Sequence, residues 1–295
     1  MIFHKAVKSV LNKHKNRDTW FLDEYSVNPY EGCGFNCLYC YVRGSHYGEH
    51  FSGIITVKDN ATDILDKQLA ARAKKGAYGI IALGSATDAY MQVEEELQQT
   101  RKILEVILKN RFPVFISTKS TLIQRDIDLL QQIDKKAILP GDLQVKLKRG
   151  AVISFSLSTL DEKISTLLEP GAPTPLQRLE TMKAVCDAGL LTGLNALPLL
   201  PFLSDTDEAL AAIAQSAKEY GAAYLLAGGL TLFGDQPGDS KALYYRFLQQ
   251  YYPGLLPKYK EMYGNNFYQS WSYQSVLKKK TGKWCSAYGL RTSII

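Results

Sequence analysis

A regular alternation of apolar and amphipathic segments runs through most of this sequence. Apolar segments predict six strands, at residues 25–33, 77–85, 113–120, 151–159, 190–200 and 222–232. Helical periodicity follows each of them, at residues 63–75, 94–110, 123–133, 176–189, 206–221 and from about residue 240. Strands this apolar are typical of a parallel sheet that is buried on both faces. Six such units, joined by right-handed crossovers, predict an α/β fold: a partial (β/α)6 TIM-like barrel of parallel strands.

Capping signals mark the ends of two of these predicted helices. Thr62 is a candidate N-cap for the first helix, and Thr174 is a candidate N-cap for the fourth. Pro175 in the first turn and Gln177 at the capping-box position reinforce the second of these starts, and Gly189 ends that helix. We therefore expect the fourth helix to have sharply defined ends.

The sequence predicts three regions of different character. Residues 1–23 form a basic N-terminal segment, residues 24–235 form the barrel, and residues 236–295 form an aromatic and basic C-terminal extension. The extension is a candidate substrate-binding cap. Its rings and interleaved cations suit the bases and phosphates of a nucleic acid, and the chain has a net charge of +6. The alternative interpretation is a solvated run of lysines beside a hydrophobic closing helix.

The first contacts to test in such a cap are its tryptophans and clustered lysines: Trp271, Trp284, Lys278, Lys279, Lys280 and Lys283.

Composition and hydropathy bear on the compartment. The chain is 46% hydrophobic and 22% charged, which is typical of an ordinary globular protein. It has no apolar run of membrane-spanning length and no signal-peptide pattern at its N-terminus. We therefore expect no membrane partner and a reducing cytoplasm, where clustered cysteines bind metal more often than they form disulfides.

Three of the five cysteines lie within eight residues, directly after the first predicted strand. Cys33, Cys37 and Cys40 can supply three thiolates to a metal centre, which leaves at least one coordination position for another ligand. Zinc prefers four ligands and could recruit His46 or His50. An iron–sulfur cluster is the other thiolate site, and with three cysteines one iron stays open to a non-protein ligand. Spacing alone leaves both interpretations open.

The pattern Cys-x3-Cys-x2-Cys, with Tyr39 just before the last cysteine and six βα units in the chain, resembles the radical S-adenosylmethionine superfamily over about residues 24–235. The resemblance implies that Cys33, Cys37 and Cys40 hold a [4Fe–4S] cluster. S-adenosyl-L-methionine would complete the fourth iron, and a flavodoxin- or ferredoxin-type donor would supply the electron. Reductive cleavage would then give a 5′-deoxyadenosyl radical that abstracts hydrogen from the substrate.

Within that superfamily the sequence is most similar to spore photoproduct lyase and the DNA-repair-photolyase-like proteins. The similarity is carried by "VNPYEGCGFNCLYCY", "SATDAY", "FISTKS" with "RDIDLL", and "SFSLSTLDEKISTLLEPGAPTPLQRLETMKAVCDAGL". It implies cofactor contacts at the strand ends: Lys119 at the carboxylate, Thr87 and Asp88 at the amino-acid part, Ser156 or Ser158 at the ribose, Asn195 and Tyr39 at the adenine, and Ser85 beside them. Alternatively, Lys119 and Asp88 form a simple ion pair, and Glu169 pairs with Arg178 for structural reasons.

The resemblance breaks at one position. Ser85 stands where the lyase carries the cysteine that returns a hydrogen atom to the substrate radical, and a hydroxyl is a far poorer hydrogen-atom donor than a thiol. Tyr41, Tyr90 and Cys285 are the candidates to replace it, whereas Cys186 is expected in the core.

The predicted function is therefore a radical enzyme that is lyase-like and acts on a nucleic acid or nucleobase. Radical modification of a peptide or small molecule is an alternative, although the two cysteines outside the loop are too few for a second cluster. A zinc-stabilised nucleic-acid-binding module that uses the three cysteines and His46 is the alternative from another class.

Overall fold

The computed structural model describes residues 2–45, 48 and 54–295. The strands in these residues are β1 (Ile2–Lys5), β2 (Leu11–Lys13), β3 (Asp23–Val27), β4 (Tyr30–Glu31), β5 (Ile55–Lys58), β6 (Ile80–Leu83), β7 (Val114–Thr118), β8 (Ala151–Ser156), β9 (Leu191–Ala196) and β10 (Leu225–Ala227). The α-helices are α1 (Ala61–Ala73), α2 (Glu94–Leu97), α3 (Gln99–Lys109), α4 (Ile127–Lys136), α5 (Glu162–Leu168), α6 (Pro175–Asp187), α7 (Asp207–Glu219), α8 (Ser240–Tyr251), α9 (Leu256–Tyr263) and α10 (Trp271–Ala287).

The main sheet has the strand order β10-β9-β8-β7-β6-β3-β2. The first six strands of this order are parallel, and each is a neighbour of the strand that follows it in the barrel sequence. β2 and β10 form the two free edges of the sheet, so the barrel is open. The predicted α/β class and partial barrel of six parallel strands are thus confirmed.

The N-terminal residues contribute to two sheets. β2 pairs antiparallel with β3 and extends the barrel sheet at one edge. β1 pairs parallel with β5, which also pairs antiparallel with β4, to give a separate three-stranded sheet. The first predicted strand therefore divides into β3, in the barrel, and β4, which leads into the cysteine loop. The boundaries predicted for the three regions of the chain stay a prediction.

The outer face of the barrel sheet packs against the helices that cover it. Each barrel strand sends alternate side chains outward, as the two-residue period of a strand requires. The outward residues of β6, β7, β8 and β9 are Ile81, Leu83, Val114, Ile116, Ile153, Phe155, Leu194 and Ala196. The helix residues that pack against this face are Leu65, Leu69, Ile103, Ile107, Leu130, Val185 and Ile213. This cluster is the largest core of the molecule.

The inner face forms a second, smaller core in the lower half of the barrel. Ala82, Phe115, Val152 and Tyr224 meet there, and Leu22, Leu143, Leu147 and Ile294 close the floor. Arg291 forms a parallel bridge with Tyr224 at the free edge of β10, which brings Ile294 under the barrel. The upper half of the interior is thereby left to the polar side chains at the strand ends.

The first part of the C-terminal extension, α8 and α9, packs on the opposite, upper side. Tyr244, Tyr259 and Tyr263 are fully buried in a third cluster, which also contains Cys37 and Tyr39 of the cysteine loop. Most rings of α8 and α9 are therefore structural. No helix in the described residues has an apolar stretch long enough to cross a membrane.

The predicted helix ends are partly right. The capping box at Thr174 is confirmed, with Gln177 N donating to Thr174 Oγ1 at 3.3 Å and the reciprocal bond at 2.9 Å. Thr62 is not a cap, because α1 begins one residue earlier, at Ala61, with Asn60 in the N-cap position.

The single helix predicted over residues 94–110 is also wrong. The chain turns at Gln98, whose φ of 51° is left-handed, and this separates α2 from α3. Glu94 is completely buried, and its carboxylate accepts hydrogen bonds from Tyr30, Thr100 N and Arg125. These buried bonds fix the turn, which helical periodicity alone cannot reveal.

Gly193 tests how tightly the barrel interior is packed. A Cβ at this position would lie 2.1 Å from the ring of the fully buried Tyr224. We expect Gly193→Ala to lower the free energy of unfolding by about 1–3 kcal/mol through overpacking. Gly282→Ala in α10 is the matched control: nothing lies within 4 Å of its added Cβ, so it should stabilise by about 0.5–1 kcal/mol. Urea denaturation measures both, and equal stability of the two variants would contradict tight packing here.

Candidate functional site

Three free thiols lie together in the loop that follows β4. Cys37 is buried, and Cys33 and Cys40 are half-buried. Burial raises the pKa of all three thiols, that of Cys33 to about 11. After burial, Lys119 has the largest influence on the pKa of Cys37 and lowers it, whereas Glu169 and the other two thiols raise it. Thiolates at this place therefore require positive charge beside them, from a metal centre or a cation.

Backbone contacts hold the cysteine loop against the segment after α5. Leu38 N donates to Leu168 O at 2.8 Å, and Gly171 N donates to Phe35 O at 3.1 Å. The two backbones approach so closely that a Cβ on Gly171 would lie 2.4 Å from Gly34 O. The cysteine loop is thus fixed on one side by the end of α5 and the residues that follow it.

Arg43, which the sequence reasoning missed, fastens the loop on its other side. Its Nε donates to Cys37 O at 3.0 Å, and its Nη1 donates to Gly238 O at 3.4 Å. Ser240 Oγ donates in turn to Arg43 O at 3.3 Å. A lone arginine just after a cysteine cluster was the signal available. The C-terminal extension therefore helps to position the thiols.

Tyr39 joins the cysteine loop to the end of β8. Its hydroxyl lies 2.7 Å from Ser158 Oγ and donates to a carboxylate oxygen of Glu169. Burial, and after it the charge of Glu169, raise the pKa of Tyr39 well above its ordinary value. The phenol therefore stays protonated and acts as a fixed hydrogen-bond donor.

Glu169 and Arg178 form an almost completely buried ion pair behind Tyr39. Arg178 also donates to Pro173 O at 2.8 Å and to Ser156 O at 3.1 Å. Burial alone would raise the pKa of Glu169, but the charges of Arg178 and Lys119 hold it below its ordinary value. The structural interpretation of this pair is the one that the contacts support.

Asp88 ties the end of β6 to the end of β7. Its Oδ1 accepts from Thr118 Oγ1 at 2.7 Å and from Tyr90 N at 2.9 Å, and its Oδ2 accepts from Lys119 N at 2.8 Å. Burial raises the pKa of Asp88, although these hydrogen bonds act in the opposite sense. Both carboxylate oxygens of Asp88 are therefore engaged by protein donors.

The Lys119 ammonium forms no hydrogen bond or ion pair with any residue that the structure describes. The ion pair between Lys119 and Asp88, which was the alternative interpretation of these residues, is therefore not formed. Burial would lower the pKa of Lys119, but nearby Cys37 and Glu169 raise it above the ordinary value. Lys119 is consequently a charged group that is free to bind an anionic ligand.

Polar side chains from three neighbouring strands meet inside the upper barrel. Asn195 Nδ2 donates to Ser117 Oγ at 2.9 Å, and Ser117 Oγ lies 3.1 Å from Ser156 Oγ. Asn195 Oδ1 and, at the end of β6, Thr87 Oγ1 are buried without any hydrogen-bond partner in the described residues. Buried polar atoms are nearly always paired in native proteins, so these two atoms at the strand ends are available to a polar ligand. Ser117, at the end of β7, belongs to this group as well.

Ser85 lies exposed at the mouth of the barrel. Asn28 Nδ2 donates to Ser85 Oγ at 3.2 Å, and Tyr41 OH donates to Ser85 O at 2.7 Å. Tyr41 itself is 44% exposed. Of the two candidate tyrosines, Tyr41 is the one that reaches the position where a hydrogen donor was sought.

The other two candidate hydrogen donors lie away from this group. Tyr90 is fully buried in the core between sheet and helices, where burial and then Asp126 raise its pKa. Cys285 is fully buried in the same core from α10. Cys186 was expected in the core but is only half-buried, and its Sγ donates to Gly221 O at 3.3 Å. Their burial explains why the structure does not bring Tyr90 or Cys285 to the site.

Part of the basic tail is occupied by contacts with α7. Trp284 Nε1 donates to Asp207 at 3.0 Å, and Lys280 and Lys283 lie 3.8 and 3.7 Å from the same carboxylate. Trp271, Lys278 and Lys279 are solvent-exposed and are not among these contacts of α7, whereas Lys283 is exposed but pairs with Asp207.

The donor set of the cysteine loop can be compared with what a single metal ion and an iron–sulfur cluster require. Among the described residues, no three His, Cys, Asp or Glu side chains are grouped as one metal ion would need. His46 and His50, the predicted additional zinc ligands, lie outside the described residues. In a four-iron cluster each cysteine binds a different iron, so its ligands surround the cluster instead of meeting at one point. Three close thiols, an unpaired lysine and two unpaired polar atoms fit such a cluster with a polar co-ligand.

Comparison with known proteins gives three findings. A family model described as the Radical SAM superfamily matches residues 27–216. An uncharacterized protein of Mycobacterium tuberculosis (strain ATCC 25618 / H37Rv) is 29% identical over 296 residues, which cover 98% of this chain and 81% of the relative. The Radical SAM Nalpha-GlyT isomerase of Pseudomonas phage M6 is 22% identical over 189 residues, or 64% of this chain and 36% of that protein.

Among solved structures, spore photoproduct lyase complexed with dinucleoside spore photoproduct superposes with a TM-score of 0.69. The match covers 97% of this chain and 79% of that chain at 16% identity, and at this identity it shows a shared fold.

The buried ion pair behind Tyr39 gives a stability prediction. Arg178→Met leaves Glu169 buried and unpaired, so we expect a loss of about 3–5 kcal/mol in the free energy of unfolding at neutral pH. The double variant Glu169→Gln/Arg178→Met should recover most of this loss. Lys183→Met, which breaks an exposed pair with Asp187, is the control and should cost about 0.5 kcal/mol or less.

The loss of unfolding free energy in Arg178→Met should depend on pH. The pKa of Glu169 is lowered in the folded protein, so its contribution is present above the ordinary pKa of glutamate and is lost as the pH falls. We expect the difference between wild type and Arg178→Met to shrink toward about pH 4. Urea denaturation at the two pH values measures this, and a difference that does not change with pH would argue against an ionised Glu169.

Proposed function

The chain belongs to the radical SAM superfamily, and on this basis we propose that Cys33, Cys37 and Cys40 hold a [4Fe–4S] cluster at which S-adenosylmethionine is cleaved. Bound there, the cluster would supply the electron that converts S-adenosylmethionine into methionine and a 5′-deoxyadenosyl radical. The observation that carries the proposal is the grouping of three free thiols, an unpaired Lys119 and two unpaired buried polar atoms at one end of a parallel barrel. Ligands of parallel α/β barrels bind at this end.

We assign each polar side chain to the part of S-adenosylmethionine that it would bind. Lys119 provides the cation for the carboxylate of the methionine moiety, a charge-assisted contact. Thr87 and Asn195 offer their unpaired oxygens to the amino-acid and adenine parts. For the ribose we favour Ser156 over Ser158, because Ser158 is more deeply buried and its hydroxyl is engaged by Tyr39.

Other residues orient these groups and exclude water. Asp88 fixes the backbone of Lys119, and the Glu169–Arg178 pair fixes Tyr39 and the carbonyl of Ser156. For hydrogen-atom exchange with a substrate we favour Tyr41, whose hydroxyl donates to Ser85 O at the mouth of the barrel. α8 and α9 cover the cysteine loop with buried rings, which keeps bulk water from it.

We further propose that the substrate is a nucleic acid or nucleobase and that a flavodoxin- or ferredoxin-type protein donates the electron. The fold shared with spore photoproduct lyase, one structure of which is described as complexed with a dinucleoside photoproduct, supports the substrate class. The basic C-terminal extension supports it independently, because phosphate contacts are made mostly by lysine and arginine. A peptide or small-molecule substrate, and a zinc-stabilised module, remain the alternatives that the experiments below separate.

Cys37→Ala should abolish the cluster. After anaerobic reconstitution we expect this variant to lose most of its iron and sulfide and all reductive cleavage of S-adenosylmethionine, because its thiol is one of only three in the loop. Cys186→Ala is the matched control, since it removes a thiol outside the loop and should retain both. Elemental analysis and chromatography of 5′-deoxyadenosine measure the outcome. Zinc bound in place of iron in the wild type would favour the zinc module.

Label transfer tests the substrate class. We expect anaerobic turnover with a deuterated oligonucleotide to place deuterium in 5′-deoxyadenosine, as read by mass spectrometry, because the radical abstracts hydrogen from its substrate. A protiated oligonucleotide provides the baseline. Cleavage that proceeds without any deuterium transfer from nucleotides would turn the assignment toward a peptide or small molecule.

A further inference from the structure

Exposed aromatic rings are grouped beside the carboxyl ends of the last two barrel strands. Trp271 is 84% exposed and Tyr268 is 62% exposed, which is unusual for such large rings. Phe267 and Phe202 are also exposed, at 46% and 40%. We call these four residues the rim aromatic surface. Phe267 and Tyr268 are adjacent in the chain, and Trp271 follows three residues later. Exposed apolar side chains that cluster on a folded chain commonly mark an interaction site.

Hydrogen bonds attach the segment before α10 to the segment after β10. Leu232 N donates to Phe267 O at 2.8 Å, and Gln269 Nε2 donates to Leu230 O at 2.8 Å. The Phe267 ring lies 4.9 Å from that of Phe233. Leu230 and Leu232 belong to the same buried cluster as Cys37, so shared packing connects this segment with the cysteine loop.

A second contact brings in the loop after β9. Tyr273, in the first turn of α10, donates a hydrogen bond to Asp205. Phe202 lies in the same loop as Asp205, and Lys258 Nζ stands 5.4 Å from the centre of its ring. The rings are therefore presented by segments that are fixed to one another, and a ligand would meet them without ordering a loop first.

The charge of this region suits a polyanion. Residues 254–295 contain seven lysines and arginines and a single acidic side chain, Glu261. Lys278 and Lys279 are exposed on α10 and form no ion pair within the described residues. Lys278 is two helical turns from Trp271 and so lies on the same face of α10. Two copies of the chain that met through this surface would bring their lysines together, which disfavours self-association.

We propose that the rim aromatic surface stacks on unpaired nucleotides that flank the reacting nucleotide, while Lys278 and Lys279 contact the phosphates. The inference rests on the proposed nucleic-acid substrate and adds a second, separate contact to it. Unpaired nucleotides are specified because base faces are available for stacking only outside a duplex. A duplex would contact the lysines alone.

The test is binding of a labelled single strand of about 12 nucleotides, which spans the site size of known single-strand binders. Fluorescence anisotropy with the reconstituted enzyme compares this strand with its duplex. We expect Trp271→Ala to weaken single-strand binding about tenfold, and Trp271→Ala/Tyr268→Ala to weaken it further, with little effect on the duplex. Val276→Ala, an exposed apolar residue of α10 without a ring, is the matched control and should bind as the wild type does.

The lysines have a separate signature. Lys278→Gln/Lys279→Gln should reduce the slope of log K against log salt for the single strand by about 1.4, because two phosphate contacts are lost. Iron content and substrate-free cleavage of S-adenosylmethionine should be unchanged in all these variants, since none of the substituted residues contacts the cofactor site.

Single-strand binding by Trp271→Ala/Tyr268→Ala that equals the wild type would overturn the inference, and so would a wild type that binds no single strand. A wild-type dimer that this double variant dissociates, seen by sedimentation, would also overturn it and assign the surface to a second copy. Deuterium transfer from an oligonucleotide separates the two proposals. If transfer occurs but the rings are unimportant, the inference alone fails, and if transfer never occurs, the proposed substrate fails as well.

Discussion

The burial of three thiols in one short loop is the constraint on which the rest of this structure depends. Buried thiols resist ionisation, so the site must bring positive charge to them, and Lys119 is the side chain that does so. A buried lysine is itself costly unless negative charge is near, and Glu169 supplies that charge. Glu169 requires Arg178 in turn. The polar layer of the upper barrel is thus a series of charges, each of which is tolerated because the next one is present.

The barrel meets this constraint by dividing its interior into two levels. The lower level is apolar and is filled by rings such as Phe115 and Tyr224. The upper level holds Asn195, Ser117 and Ser156, which are joined by hydrogen bonds from neighbouring strands. Because these strands are parallel, all their carboxyl ends open on the same side, so a ligand there meets every strand end at once. Much of this polar level is ordered before any ligand arrives.

The sequence predicts the barrel well, because its strands are apolar throughout and a capping box such as that at Thr174 is a local signal. It predicts poorly wherever distant residues decide the outcome. Gln98 breaks a helix because Glu94 is buried among residues from other segments. Tyr90 looks like a site residue from its place after β6, yet its ring lies in the core.

Contacts between distant residues also explain why the sequence predicts the C-terminal lysines and the cysteine loop only in part. Charge density alone cannot show that Lys280 and Lys283 form ion pairs with Asp207, whereas Lys278 and Lys279 form none within the described residues. Motif spacing identifies the three cysteines, but it does not show that Arg43 binds the carbonyl of Cys37. Site residues that act through backbone contacts leave little trace in a pattern of residue types.

The floor of the barrel has a consequence for how the chain is made. Ile294 seals an interior whose walls come from residues that precede it by some 70 to 270 positions, and Arg291 lines the last free edge beside Tyr224. During synthesis on the ribosome, every barrel strand emerges before these residues do. The base of the barrel therefore stays open until Arg291 and Ile294 have been synthesised and have packed. A chaperone that binds the protein at that stage would meet a barrel whose strands are present but whose floor is still open.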